Sequence, residues 1–301
     1  MQKLLRRMLV GTGALVLLLI VAVGALYAVT QRRIDQKLTV AGHLVPVPTD
    51  SASIQRGRHI ATSITKCTEC HGADLGGRTF IDAPPVFRLQ ALNLTSGKGG
   101  TGAFTDLDWE RAIRHGVAPG GRKLLFMPSE EFQHLNDADF GALLAYLKSV
   151  PPVDREFPPS TVGPVGRFLL AKGDLPLLHA DLIQHDAPVP AAIAVAPSVE
   201  YGRYIVDVGG CRGCHGPTLS GGRIPGTPPD FPPAANITPE GIGHYTEADF
   251  FVALREGKRP SGTMIDTIHM PVPATRGMTD DETRAVYAFL KTVPRKATGG
   301  R

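Results

Sequence analysis

The feature that most constrains this chain is a pair of short cysteine clusters, CTECHG at residues 67–72 and CRGCHG at residues 211–216, which together hold all four of its cysteines. In each cluster two thiols three positions apart fall on one side of a helical turn, and a histidine follows directly. That arrangement suits covalent attachment of a haem, in which two thioether bonds fix the porphyrin and the adjacent imidazole turns onto the iron. Two other readings compete. Pooling Cys67, Cys70, Cys211 and Cys214 into one four-thiolate zinc site leaves His71 and His215 without a role. A redox dithiol needs a strand ahead of the motif, whereas the flanking sequence reads as helix.

The clusters also open two copies of a longer repeat. RGRHI at 56–60 pairs with YGRYI at 201–205, and GGR at 76–78 with GGR at 221–223. The run Pro84, Pro85, Val86, Phe87 pairs with Pro228, Pro229, Asp230, Phe231, and Asn93-Leu-Thr pairs with Asn236-Ile-Thr. TDLDWERAIRHG matches TEADFFVALREG, and segments 127–151 and 270–294 each run from a Met-Pro to a closing proline 24 positions after the methionine. A duplicated domain leaves such a trail. The expected division is an anchor over 1–29, a tether over 30–49, a first unit over 50–152, a linker over 153–197 and a second unit over 198–301. Each unit reads as mainly α. Thr105 with Asp108 and Thr246 with Asp249 mark helix starts, Asn136 opens a helix whose Phe140, Leu143, Leu144 and Leu147 share one face, and Thr279 with Glu282 forms a capping box. Strand signals are weak, and Gly- and Pro-rich loops join the helices.

A thioether opposite each histidine gives a six-coordinate, electron-transferring iron. In the first unit Met127 is the candidate, 56 residues after His71 and directly before a proline. In the second, Met264, Met270 and Met278 compete, with His269 beside them. The repeat selects Met270, 55 residues after His215 and also followed by proline. A ligating imidazole needs its other nitrogen held, commonly by a carbonyl. Pro84 or Pro85, and Pro228 or Pro229, are the candidates for that carbonyl, and Arg78, Arg223, Asn93 and Asn236 for contacts to haem propionates. His43, His59, His115, His134, His179, His185 and His244 have no histidine at the matching repeat position and read as exposed or locally bonded.

Residues 9–29 carry no charge over 21 positions, which as a helix spans about 30 Å, one bilayer crossing. The run is longer than a signal-peptide core, and no small-x-small cleavage site follows it. Lys3, Arg6 and Arg7 on one flank balance Arg32, Arg33 and Lys37 on the other, so charge alone does not orient it. The net charge of +4 is too mild for a nucleic-acid binder. Residues 1–29 hold +3 of it, leaving the remainder nearly neutral.

The paired C-x-x-C-H and Met-Pro patterns, with the stretch NITPEGIGHYTEADFFVALREGK at 236–258 and LKTVP at 290–294, resemble class I cytochromes c. More narrowly, they resemble the cytochrome c subunits of membrane-bound bacterial dehydrogenases, such as those for alcohols and gluconate. The resemblance covers residues 50–152 and 198–296. It implies two tandem class I cytochrome c domains behind an N-terminal transmembrane helix, with two covalently attached haem c groups. It also implies an N-terminal helix crossing a C-terminal helix in each unit, with Gly57 near Tyr146 and Gly202 near Phe289. Haem is attached on the periplasmic side in this family, so the implied location is the bacterial inner membrane, single-pass, with both haem domains in the periplasm. Bound porphyrin would also account for an aromatic content of only 6%.

The linker is 45 residues long and holds eight prolines counting Pro152. Its Leu169, Leu170, Leu177, Leu178, Leu182 and Ile183 point to a segment packed on a domain, with a docking surface for a partner or the bilayer as the sharper alternative. The functional expectation is an electron carrier without catalytic residues, passing single electrons from a periplasmic donor, a dehydrogenase, to another cytochrome or an oxidase. Rival readings are a di-haem peroxidase or thiosulfate dehydrogenase, or a di-haem subunit of a haem-copper oxidase.

Overall fold

In the computed structural model, which describes residues 2–300, the apolar N-terminus is a single helix α1 (Gln2–Asp35) whose hydrophobic window is wholly exposed. This helix runs six residues into the expected tether. Nothing between 30 and 35 breaks it, Thr30 caps back onto the Leu26 carbonyl at 2.7 Å, and Gln31 bonds Asp35 at 2.9 Å. The remaining tether lies on the first unit, with Val40 and Val45 buried and the Leu38 N–H donating to the Gly121 carbonyl.

The first unit contains α2 (Ser51–His59), a π-turn over Ile60–Ile64, α3 (Cys67–His71), α4 (Asp106–His115), α5 (Ser129–Phe132) and α6 (Asp137–Ser149). The linker adds α7 (Pro164–Lys172). The second unit repeats the plan with α8 (Val199–Val208), α9 (Cys211–His215), α10 (Pro239–Ile242), α11 (Glu247–Glu256), α12 (Val272–Thr275) and α13 (Asp280–Thr292). The helix starts are as the sequence implies: Thr105 and Thr246 close capping boxes with Asp108 and Asp249, Thr279 closes one with Glu282, and Asn136 accepts from the Asp139 N–H.

The first and last helices cross within each unit at a glycine. A Cβ built on Gly57 would lie 1.9 Å from the Ala142 carbonyl oxygen and 2.9 Å from Tyr146 Cβ. One on Gly202 would lie 1.9 Å from the Ala285 oxygen and 2.8 Å from Phe289 Cβ. Only glycine permits that approach, and the repeat carries it at both crossings.

Strand content departs from the weak sequence signal. Strand β1 (Arg78–Ala83) pairs antiparallel with β2 (Phe87–Ala91), aligning Arg78 with Ala91 and Ala83 with Phe87. A short pair, β3 (Val117–Ala118) and β4 (Arg122–Lys123), follows, and β5 (Thr161–Val162) from the linker joins the free side of β2. The second unit has an isolated bridge between Gly222 and Ala234 in place of the hairpin, and another between Lys258 and Met264 in place of the short pair. The sheet forms where the linker covers it: Leu89 and Val162 bury with Leu170, Leu175 and Leu177, and Ile34 of α1 packs on this cluster. Each such leucine withdrawn from water contributes roughly 1.5–3 kcal/mol, enough to organise a segment of weak strand propensity.

A single main core runs through both units, joining Ile60, Ile64, Phe140 and Leu144 of the first to Tyr201, Ile205, Val286 and Phe289 of the second. The two domains are therefore packed against each other as one body of apolar contact.

Candidate haem-attachment sites

Both cysteine clusters form one turn of helix entered through a left-handed residue, Lys66 (φ 55°) in one and Gly210 (φ 67°) in the other, and left through Gly72 and Gly216 with φ near 80°. The Gly77 N–H donates to the His71 carbonyl and the Gly221 N–H to the His215 carbonyl, each at 2.8 Å. These turns present both thiols of a cluster to one side. Burial pushes the Cys67 thiol up, and pushes Cys70 and Cys211 up to about 11, so as thiols they are protonated. Among the described residues no three metal-ligating side chains gather, so the four cysteines do not form the pooled zinc site.

The imidazoles are held by carbonyls, but not by those of the proline pairs. His71 Nδ1 donates to the Leu92 oxygen and His215 Nδ1 to the Ala235 oxygen, each at 2.7 Å. A carbonyl only accepts, so the proton sits on Nδ1 and the Nε2 lone pair is the ring's electron donor. Burial lowers the His71 pKa, favouring this neutral state. Pro84 and Pro85 instead form the turn of the β1–β2 hairpin, while Pro229 and Thr227 carbonyls receive the Arg223 guanidinium.

Asn93 and Asn236, proposed for propionates, are spent on the backbone. Each Oδ1 accepts from the N–H and hydroxyl of the threonine two residues on, and the amides donate to the Val153 and Lys296 carbonyls at 2.6 and 2.8 Å. Each asparagine thus pins the residue directly after the carbonyl that orients the histidine. Arg78 reaches the carbonyls of Cys70 and Glu69 at the end of its attachment turn.

Met127 and Met270 occupy matching places. Each is partly buried, and the proline after each has nearly the same backbone, φ −79°, ψ 56° for Pro128 and φ −75°, ψ 58° for Pro271. Met278 is buried in the core, Met264 is 62% exposed, and His269 bonds Asp266 at 2.6 Å. The two methionine loops differ in support. The Phe126 N–H donates to the Leu177 carbonyl, and His179 bonds Glu130 at 2.6 Å, so the linker braces the Met127 loop. The loop before Met270 has no such cover, and Ile268 there is 88% exposed.

Sequence reasoning missed a network between the units. His59 bonds Glu282 at 2.7 Å and Tyr204 donates to Asp139 at 2.8 Å, while Arg56 holds Asp139 at 3.0 Å and Glu282 at 2.9 Å, and Tyr201 donates to Glu282. Arg56 and His59 match Tyr201 and Tyr204 in the repeat, so the interface is pseudo-symmetric. His59 is thus not the locally bonded residue expected. The signal lay in its alignment with a tyrosine rather than a histidine. Lys66, beside Cys67, donates to the Gly209 carbonyl, and Glu131 lies against Gly210 and Gly213, where burial pushes its carboxyl up to about 7. The attachment turns of the two units are therefore neighbours.

A helix-crossing glycine, a C-x-x-C-H turn with carbonyl-held histidine, and a Met-Pro loop, each present twice, define two tandem class I cytochrome c domains. The sequence model of the cytochrome c family matches residues 54–151 and 199–294, and the chain belongs to that family. It is 28% identical over 280 residues to the fructose dehydrogenase cytochrome subunit of Gluconobacter japonicus, covering 85% of this chain and 56% of the relative. It is 26% identical over 277 residues to the cytochrome c subunit of the quinone alcohol dehydrogenase of Gluconacetobacter polyoxogenes, covering 81% and 57%. A diheme cytochrome c-type protein of Cereibacter sphaeroides is 30% identical over 223 residues, covering 65% and 68%. The chain thus spans little more than half the length of the dehydrogenase subunits it matches.

Proposed function

We propose that this chain is a membrane-anchored di-haem c-type cytochrome that carries single electrons from a periplasmic dehydrogenase to a downstream cytochrome or oxidase. The observation that carries this reading is the direct contact of the two attachment turns through Lys66 and Gly209, inside one shared core. Haem c, when bound, supplies reversible one-electron chemistry at its iron. Cys67 with Cys70, and Cys211 with Cys214, are the residues that would hold it covalently. His71 with Met127, and His215 with Met270, would ligate the two irons, with the Leu92 and Ala235 carbonyls fixing the imidazole tautomer. In this reading no side chain performs acid or base chemistry. Helix α1 anchors the protein in the bacterial inner membrane with both units in the periplasm. The dehydrogenase partner rests on the similarity to dehydrogenase cytochrome subunits.

The haemochrome spectrum should give two covalent haems per chain, and fewer would overturn the proposal. The ferrous protein should not bind carbon monoxide rapidly, because Met127 and Met270 would each take up the iron's remaining ligand position. Rapid binding at one haem would favour a peroxidase or thiosulfate dehydrogenase instead. Met270→Leu should lower one reduction potential while Met264→Leu leaves both unchanged.

A further inference from the structure

Helix α7 is amphipathic in an inverted sense. Its charged Arg167 is buried, with the guanidinium over the Tyr27 ring at 4.4 Å and donating to Thr30 Oγ1 at 2.9 Å and Gln31 Oε1 at 2.6 Å. Beside it, the outward side of the helix exposes Pro164, Val165, Phe168 and Ala171, at i, i+1, i+4 and i+7. Phe168 is 58% and Val165 42% exposed. A short helix that buries its arginine and turns a phenylalanine outward is not built for water on that face.

Its position says what covers it. The α1 residues that meet α7 or its leucine cluster are Tyr27, Thr30, Gln31, Arg33 and Ile34, over about 10 Å of helix at ~1.5 Å per residue. The apolar run of α1 ends at Val29 and the first charge follows at Arg32, so this stretch straddles the boundary between hydrocarbon and headgroups. Tyr27 and Val29 remain exposed on α1, which continues the apolar surface from the anchor towards α7. Arg32 and Lys37 lie exposed at the same end, where anionic headgroups would meet them, while Lys172 pairs with Asp174 at 2.6 Å.

We infer that α7 lies in the headgroup layer of the bilayer, with Val165 and Phe168 inserted beside the anchor. The proposal rests on the reading of α1 as a membrane span. It gives the linker a second task besides bracing the Met127 loop: seating the first unit at a fixed height and tilt on the membrane surface.

Photo-crosslinking of the full-length haem-loaded protein in vesicles of phosphatidylcholine and phosphatidylglycerol tests it. p-Benzoylphenylalanine replaces Phe168, Leu18 in the middle of α1, or Ile268 in the second unit, and adducts are identified by mass spectrometry. Lipid adducts are expected at 168 and 18, severalfold above those at 268. Lipid adducts at 18 with none at 168 would overturn the α7 proposal and leave the anchor standing. Adducts at 168 to a protein instead of lipid, in native membranes, would overturn it in favour of a partner surface. Absence of lipid adducts at 18 as well would overturn both readings.

Discussion

Replacing Glu282 by glutamine removes one charge from the centre of the interface between the two units while keeping its shape. The Glu282 side chain is wholly buried, and burial alone would push its carboxyl up. Hydrogen bonds from His59, the Thr279 N–H and Arg56 override that and hold it down to about 2, against an ordinary 4.5. The difference corresponds to about 3 kcal/mol at ~1.36 kcal/mol per unit. Because the folded value lies below the unfolded one, this stability is complete above pH 4.5 and is lost as pH falls towards 2. Breaking one side of a buried pair costs roughly 3–5 kcal/mol, which agrees. Glu282→Gln should therefore lose about 3 kcal/mol at pH 7 in denaturant unfolding of the haem-loaded protein, and should lack the acid-dependent loss that the parent shows below pH 4.5. A variant within about 0.5 kcal/mol of the parent, the range of an unremarkable surface change, would refute the reasoning. So would parallel pH profiles for the two proteins.

Gly57→Ala and Gly202→Ala should each destabilise by about 1–3 kcal/mol, because the new methyl meets a backbone oxygen that cannot rotate away; unchanged thermal midpoints would contradict the crossing geometry. Asn236→Ala should cost about 1–3 kcal/mol by leaving the Lys296 carbonyl and the Thr238 N–H without their partner, read by chemical denaturation. Asn93→Ala should behave alike in the first unit, since the same bonds recur there.

What sequence alone determined is the part governed by local chemistry and duplication. The cysteine clusters, the Met-Pro loops and the capped helix starts are short-range patterns, each strengthened by recurring in the second unit, while the crossing glycines followed from the family resemblance. The apolar stretch of 21 residues at 9–29 likewise states its own length as a helix. The tertiary structure decided what depends on distant segments meeting. Which carbonyl holds each histidine could not be read from spacing: Leu92 and Ala235 lie 21 and 20 residues on, past a hairpin in one unit and a loop in the other. Asn93 and Asn236 were visible as a repeated pair, yet their task appears only when residues about 60 positions later bring carbonyls to them. The interface of Arg56, His59, Asp139, Tyr201, Tyr204 and Glu282 joins residues up to 226 apart. Its charged and aromatic members look solvent-facing in a linear reading, and only the packing of one unit on the other removes water from them. The same holds for Arg167, a surface residue by type, which is buried because α7 comes to rest against the C-terminal end of α1.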